Sequence, residues 1–278
     1  MEEKIKRIVS IGLGGFFLLA VVLILLLSGI SDISAEHPTE TVPETTGTET
    51  TATVATNPLA ISDFAYDGDY LTCLSQESML GIDVSVWQGD IDWTQVKAAG
   101  IEFVMIRLGW RGSEQGVLAE DKNVQKNYEG AKAAGLKIGG YFFSQSITPE
   151  EAVEEAEYAL QIIDGWELDM PIAYDWEYIS EDSRTGNMDG RTLTECTQAF
   201  CETVEAAGYR SMIYFNKEQS LKTVYLEELT DHEFWLAMYD SYMTYPYQIH
   251  MWQYTDQGTV PGIAGNVDIN LYFEYDQA

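Results

Sequence analysis

Positive charge is scarce in this chain. Lys and Arg number 15 against 45 Asp and Glu, for a formal net charge of −30. Such a chain repels nucleic acid and anionic headgroups, which excludes both as main partners of the folded part. Cysteine is scarce too. There are three, Cys73, Cys196 and Cys201, and the last two lie five apart in a helical pattern, a poor geometry for a disulfide. No Cys/His spacing suits a metal, since His37, His232 and His250 are scattered. No glycine-rich phosphate loop occurs. The expectation is a chain without disulfides, metal or cofactor.

One long run lacks charge altogether. Ile8 to Ile30 is 23 residues of uncharged chain, enough to cross a bilayer as a helix. Lys4, Lys6 and Arg7 precede it, and no Lys or Arg follows until Lys97. Charge asymmetry then predicts a cytoplasmic stub over 1–7, a transmembrane anchor over 8–30 and the remainder outside the cell. A secretory signal cut near Ala35 is the competing reading. Residues 31–62 are rich in Thr, Glu and Pro and poor in large apolar side chains, which predicts a disordered tether without core. Residues 63–78 read as a short acidic, aromatic lead-in.

From residue 79 to the end a repeating grammar appears. Ala98-Ala-Gly100, Ala133-Ala-Gly135, Gly165 and Ala206-Ala-Gly208 each close a helical pattern, and a β-rich apolar run follows at once. Strands are expected over 81–86, 101–108, 136–143, 171–177, 211–215, 234–239, 249–253 and 267–271. Thr148-Pro-Glu-Glu151 and Thr192 with Glu195 predict capping boxes at helix starts. After residue 209 the gaps become too short for crossover helices. An α/β fold follows: an irregular, TIM-like barrel of eight strands with helices mainly in its first five units. An open doubly wound sheet is the alternative.

Four acids fall where a barrel places its active site. They are Asp83 in the first strand, Asp175 and Glu177 at the end of the fourth, and Asp268 near the start of the last. Positions i and i+2 of a strand share a face, so Asp175 and Glu177 stand together and Trp176 points away into the core. Paired carboxylates raise one another's pKa, as a glycosidase requires of its acid. Arg107 ends the second strand, where it either pairs with one of these acids or forms a structural ion pair. Trp87, Trp110, Tyr141, Tyr214, Trp235, Tyr239, Trp252 and Tyr254 gather at the strand ends. Aromatic walls suit sugar rings, and core packing accounts for several of them.

Gly81-Ile-Asp-Val-Ser-Val-Trp-Gln-Gly-Asp-Ile-Asp-Trp93, Tyr141-Phe-Phe-Ser144, Asp175-Trp-Glu177, Trp235-Leu-Ala-Met-Tyr239, Met251-Trp-Gln-Tyr-Thr255 and Gly265-Asn-Val-Asp-Ile-Asn270 occur in order. Together they resemble glycoside hydrolase family 25, the lysozymes that cut peptidoglycan. The resemblance covers about 79–275. It implies a barrel with reduced helices in its last part and a site of four acids, which map onto Asp83, Asp175, Glu177 and Asp268. Two positions depart from the family pattern: Val86, where many members carry His, and Phe142, where some do. Both departures are expected to alter subsites or pH profile without removing an essential carboxylate.

The resemblance implies a muramidase acting on peptidoglycan glycan strands, with Glu177 as acid and base and Asp175 assisting. Tyr141, Trp235, Tyr239, Trp252, Trp110 and Arg107 are the expected substrate contacts. Direct attack by water, a non-catalytic wall-binding domain on a stalk and a barrel glycosidase acting on chitin stay open beside it. No protein partner is implied, and a monomer held at the membrane through its N-terminal helix is expected.

Overall fold

The computed structural model describes residues 53–240 and 242–275. The expected stub and anchor, 1–30, lie outside them. Among the described residues no helix is long and apolar enough to cross a membrane.

Eight strands close into a barrel. In chain order they are β3 (Ser78–Val84), β4 (Phe103–Arg111), β6 (Lys137–Ser144), β7 (Ile172–Trp176), β8 (Ser211–Asn216), β9 (Glu233–Ala237), β10 (Met251–Gly258) and β11 (Val267–Phe273). Neighbours from β3 to β10 pair in parallel, and β3 against β4 belongs to this set. β11 then closes the ring by running antiparallel to both β10 and β3. Closure excludes the open doubly wound sheet.

Helices α1 (Trp93–Ala98), α2 (Val124–Ala133), α3 (Pro149–Ile162), α4 (Gly190–Ala206) and α5 (Lys217–Lys222) all precede β9. The helix-ending glycines behave as their positions imply: Gly135 has φ 73° and Gly208 has φ 90°, values a side chain would strain. Thr148 caps α3 by accepting the Glu151 N–H. For α4 the expected Thr192 cap is displaced, because Asp189 accepts the Thr192 N–H at 3.0 Å and starts the helix earlier.

Alternation along each strand sorts the side chains. Phe103, Met105, Met170, Ala173, Met212, Met251 and Tyr272 fill the lower barrel interior. Gly81 makes room for this plug, since a Cβ there would lie 2.3 Å from the Phe103 ring. Intervening residues such as Val104, Phe142, Tyr174 and Trp176 face the helix layer in the larger core.

β10 and β11 have no helix outside them. A two-stranded hairpin, β1 (Phe64–Asp67) and β2 (Tyr70–Cys73), takes that place, and a short strand β5 (Leu118–Glu120) extends β4. Phe64 meets Trp252 and Phe273 edge-on, and the Leu71 N–H donates to the Tyr254 hydroxyl. The chain before the hairpin is also attached. Asn57 donates its backbone N–H to Pro246 and its side chain to the Tyr245 carbonyl, and Leu59 is buried in the core. The expectation that nothing before residue 63 contributes core is therefore corrected. Polar composition hid the two apolar contacts, Val54 and Leu59.

Candidate active site

The C-terminal ends of the parallel strands open onto one cleft. Asp83, Arg107, Tyr141, Phe143, Asp175, Glu177, Tyr214, Trp235, Tyr239, Gln253 and Asp268 line it, with Ser85, Trp87 and Gln88 at its lip. All four expected acids meet there. In a wholly parallel barrel the start of the last strand would lie at the opposite end. The reversed direction of β11 is what lifts Asp268 to the rim, where it is the register partner of Asp83.

Asp83 is the most engaged of the four. Its Oδ2 accepts Gln253 Nε2 at 2.9 Å and Asn270 Nδ2 at 2.8 Å, and its carboxyl shares a hydrogen bond with Asp268. Burial pushes its pKa up and these donors oppose the shift. Asp268 is pushed up to about 9, by burial first and then by the charge of Asp83. The proton of this pair therefore resides on Asp268.

Gln253 is aimed by two phenols. Tyr214 and Tyr239 both donate to its Oε1, at 3.2 and 2.9 Å, leaving its amide N–H groups for Asp83. Trp235 donates its indole N–H to Asn270 Oδ1 at 2.8 Å, which orients the second amide. Gln253 and Asn270 were not singled out from the sequence as site residues. Their signal was present, because each shares strand parity with an inward neighbour, Met251 or Asp268.

Asp175 is buried and pushed well above the usual carboxylate range, by burial first, then by the charges of Glu177 and Asp83. Its Oδ1 has no hydrogen-bond partner among the described residues. Glu177, half-buried, is raised to about 6, by burial and then by Asp83. Asp175 and Glu177 thus share the cleft face, and Trp176 packs in the outer core as alternation predicts.

Arg107 lines the cleft but pairs with none of the four acids. Its Nε and Nη2 hold Asp121 at 2.8 and 2.7 Å. Asp121, fully buried, also accepts the Val86 N–H, tying the first-motif turn to β4. Asp121 was not visible as a site residue because its partner lies on another strand.

The aromatics divide. Tyr141, Trp235 and Tyr239 line the cleft, and so does the exposed Trp87. Trp252 does not, which corrects the expectation. It stands one residue from Gln253, so its ring faces outward, fully buried against Phe64, with its indole N–H on the Met238 carbonyl. Trp110 reaches the cleft only through Arg107, whose guanidinium lies 5.2 Å from its ring. Neither family departure lines the cleft either. Phe142 faces Tyr158 in the helix layer, and Val86 contributes its backbone.

A larger hollow lies between α1, α2 and the Gly262 turn. Its carboxylates are engaged, Asp92 as the α1 cap and Asp90 with Lys126, so it offers no converging reactive groups.

An acid cluster under an aromatic wall at the mouth of a closed α/β barrel defines a glycosidase-type site. The chain belongs to the family described as glycosyl hydrolases family 25, whose model matches residues 82–263. It is 30% identical over 208 residues to the autolytic lysozyme of Clostridium acetobutylicum, covering 70% of this chain and 56% of that protein. It is similar to the modular autolysin LytC of Streptococcus pneumoniae, solved with a synthetic peptidoglycan ligand, at TM-score 0.60 and 26% identity, over 71% of this chain and 47% of that one. A bacterial lysozyme from Streptomyces coelicolor matches at TM-score 0.60 and 25% identity, over 72% of this chain and 94% of that one. The chain therefore spans about half the length of the first two.

Proposed function

We propose that this protein is a muramidase, cleaving the β-1,4 bond between N-acetylmuramic acid and N-acetylglucosamine in peptidoglycan. The observation that carries the reading is the contrast within one strand end. Glu177 carries a carboxyl raised to about 6, while Asp175 presents a buried oxygen with no donor of its own. Two carboxyls with separated tasks are what glycoside cleavage needs.

Glu177 protonates the leaving glycosidic oxygen and then, as carboxylate, takes a proton from the incoming water. The 2-acetamido group of the sugar attacks C1 as the bond breaks. Asp175 Oδ1, which has no donor of its own, accepts the acetamido N–H and so orients that group for attack. Asp83, Asp268, Gln253 and Asn270 hold the floor of the cleft rigid beneath the sugar. Tyr141, Trp235 and Tyr239 present faces and edges to the apolar side of the ring. The relatives named as lysozyme and autolysin, and the peptidoglycan ligand of one, support this reading.

Glu177→Gln decides it. The change is nearly isosteric, so the fold remains, and loss of the acid lowers turnover by about 10²–10⁴-fold. Lysis of purified walls within a few-fold of wild type would overturn the assignment. Reducing ends released from chitin but not from peptidoglycan would redirect the substrate. A product released in the inverted anomeric form would replace acetamido attack by direct water attack.

The uncharged run 8–30 behind Lys4, Lys6 and Arg7 supports a membrane-anchored monomer with its catalytic domain outside the cell. Fractionation with membranes, with the N-terminus intact, is the expected result. A mature N-terminus near residue 36 would replace the anchor by a cleaved signal.

A further inference from the structure

Glu177 is the first residue beyond the ladder that holds its strand. The β6–β7 register ends at Ser144 opposite Trp176, and the β7–β8 register at Asp175 opposite Tyr214. The Glu177 carboxyl accepts no hydrogen bond among the described residues. Its placement therefore rests on the backbone that carries it.

Two buried glutamines hold that backbone from opposite sides. Gln145, just past β6, donates Nε2 to the Glu177 carbonyl at 2.8 Å and to the Ser144 carbonyl at 2.8 Å. Gln219, on α5, donates Nε2 to the Trp176 carbonyl at 3.3 Å. Consecutive strand carbonyls point to opposite sides, so the two amides continue the hydrogen bonding where the strands stop. Neither glutamine lines the cleft.

Gln145 is itself locked. It is fully buried, its Oε1 accepts Thr185 Oγ1 at 2.8 Å, its N–H donates to Glu155 and its carbonyl accepts Arg184 Nη1 at 3.1 Å. Glu155 in turn is held by Arg111 Nε at 2.7 Å. Gln219 is fixed through its backbone N–H to Asn216 Oδ1 at 2.9 Å. The Gln145 amide, engaged at both its nitrogen and its oxygen, is held in one geometry, which is what a positioning element requires, while Gln219 adds a single bond.

We propose that Gln145 and Gln219 form a clamp on the exit of β7 and act as the positioning residues of Glu177. The geometry stands alone; its catalytic consequence rests on the muramidase reading above.

The test uses Gln145→Met and Gln219→Met, which keep the side-chain length and remove the donors. A displacement of about 1 Å at a reacting group can cost about 10²-fold in rate. On a soluble glycan fragment, Gln145→Met is expected to lower kcat by about 10–100-fold and Gln219→Met by several-fold, with KM within two-fold of wild type. Carboxyl-labelled NMR gives a readout independent of activity. The Glu177 titration, raised to about 6 by burial, moves toward the ordinary value as the side chain loosens. Folded variants with unchanged kcat and an unchanged Glu177 titration would overturn the clamp. If Gln145→Met does not fold, Gln219→Met, which loses a single bond, decides the question by the same two measurements. A wild-type protein inert on peptidoglycan would overturn the muramidase reading alone, and the titration would still judge the clamp.

Discussion

Asp268 and Asp83 are direct register partners across the antiparallel pair β11 and β3, and their carboxyls share one proton. Asp268 holds it, with a pKa of about 9 against roughly 3.9 in an unfolded chain. The folded state then binds more protons than the unfolded state through the interval between those values. The stabilisation is complete below about pH 4 and is lost as pH rises toward 9.

Asp268→Asn therefore melts above wild type at pH 8, since the amide still donates to Asp83 and cannot ionise. Each kcal/mol recovered raises the midpoint by about 2–4 °C in a domain of this size. The difference closes near pH 4. Calorimetry at the two pH values checks it, and equal midpoints at pH 8 would remove the shared proton from the account.

The pH–rate profile should carry Glu177 as its basic limb. In the proposed role of general acid Glu177 works only while protonated, so kcat/KM is expected to fall above about pH 6. The charged and titratable groups around it are Asp175 on its own strand, Asp83 and Asp268 on β3 and β11, and Arg107 on β4. After burial, the charge of Asp83 raises Glu177, so Asp83→Asn moves the limb to lower pH. A limb that stays in place in a folded variant would assign it to another group.

Two aromatic substitutions should separate core from cleft. Trp252→Ala removes a buried ring from the outer core and costs about 3–5 kcal/mol of stability, while the protein that remains folded keeps its KM. Tyr239→Phe removes the hydroxyl that orients Gln253, changing stability by about 1 kcal/mol and lowering kcat/KM. Thermal melts beside steady-state kinetics on a glycan fragment check both. A raised KM in Trp252→Ala would return that ring to the cleft.

Truncation should distinguish tether from domain. A chain starting at residue 53 keeps every described contact and melts as the full protein does. A chain starting at residue 78 lacks Leu59 and the β1–β2 hairpin, and bares Trp252, Tyr254 and Phe273 on the outside of the barrel. It should melt lower and bind a hydrophobic dye. Equal midpoints for the two chains would make the hairpin an ornament.

Local chemistry made much of this protein legible in its sequence. Helix-ending glycines, apolar runs and shrinking gaps predicted about eight strands with helices mainly in the first five units, because caps and alternation act over a few residues. Alternation also placed Asp175 and Glu177 on one face and Trp176 on the other. The rest depends on pairings between distant residues. Asp268 reaches the rim only because β11 runs against its neighbours, a direction no local pattern encodes. Arg107 meets Asp121 rather than a cleft acid because β5 and the turn after it bring that carboxylate alongside. Trp252 turns outward since the register of β10 gives the inward face to Gln253, and the hairpin that covers it comes from chain nearly 190 positions earlier in sequence (Phe64 against Trp252). Strand direction and register are set by long-range hydrogen bonding and core burial, and only the closed barrel decides them.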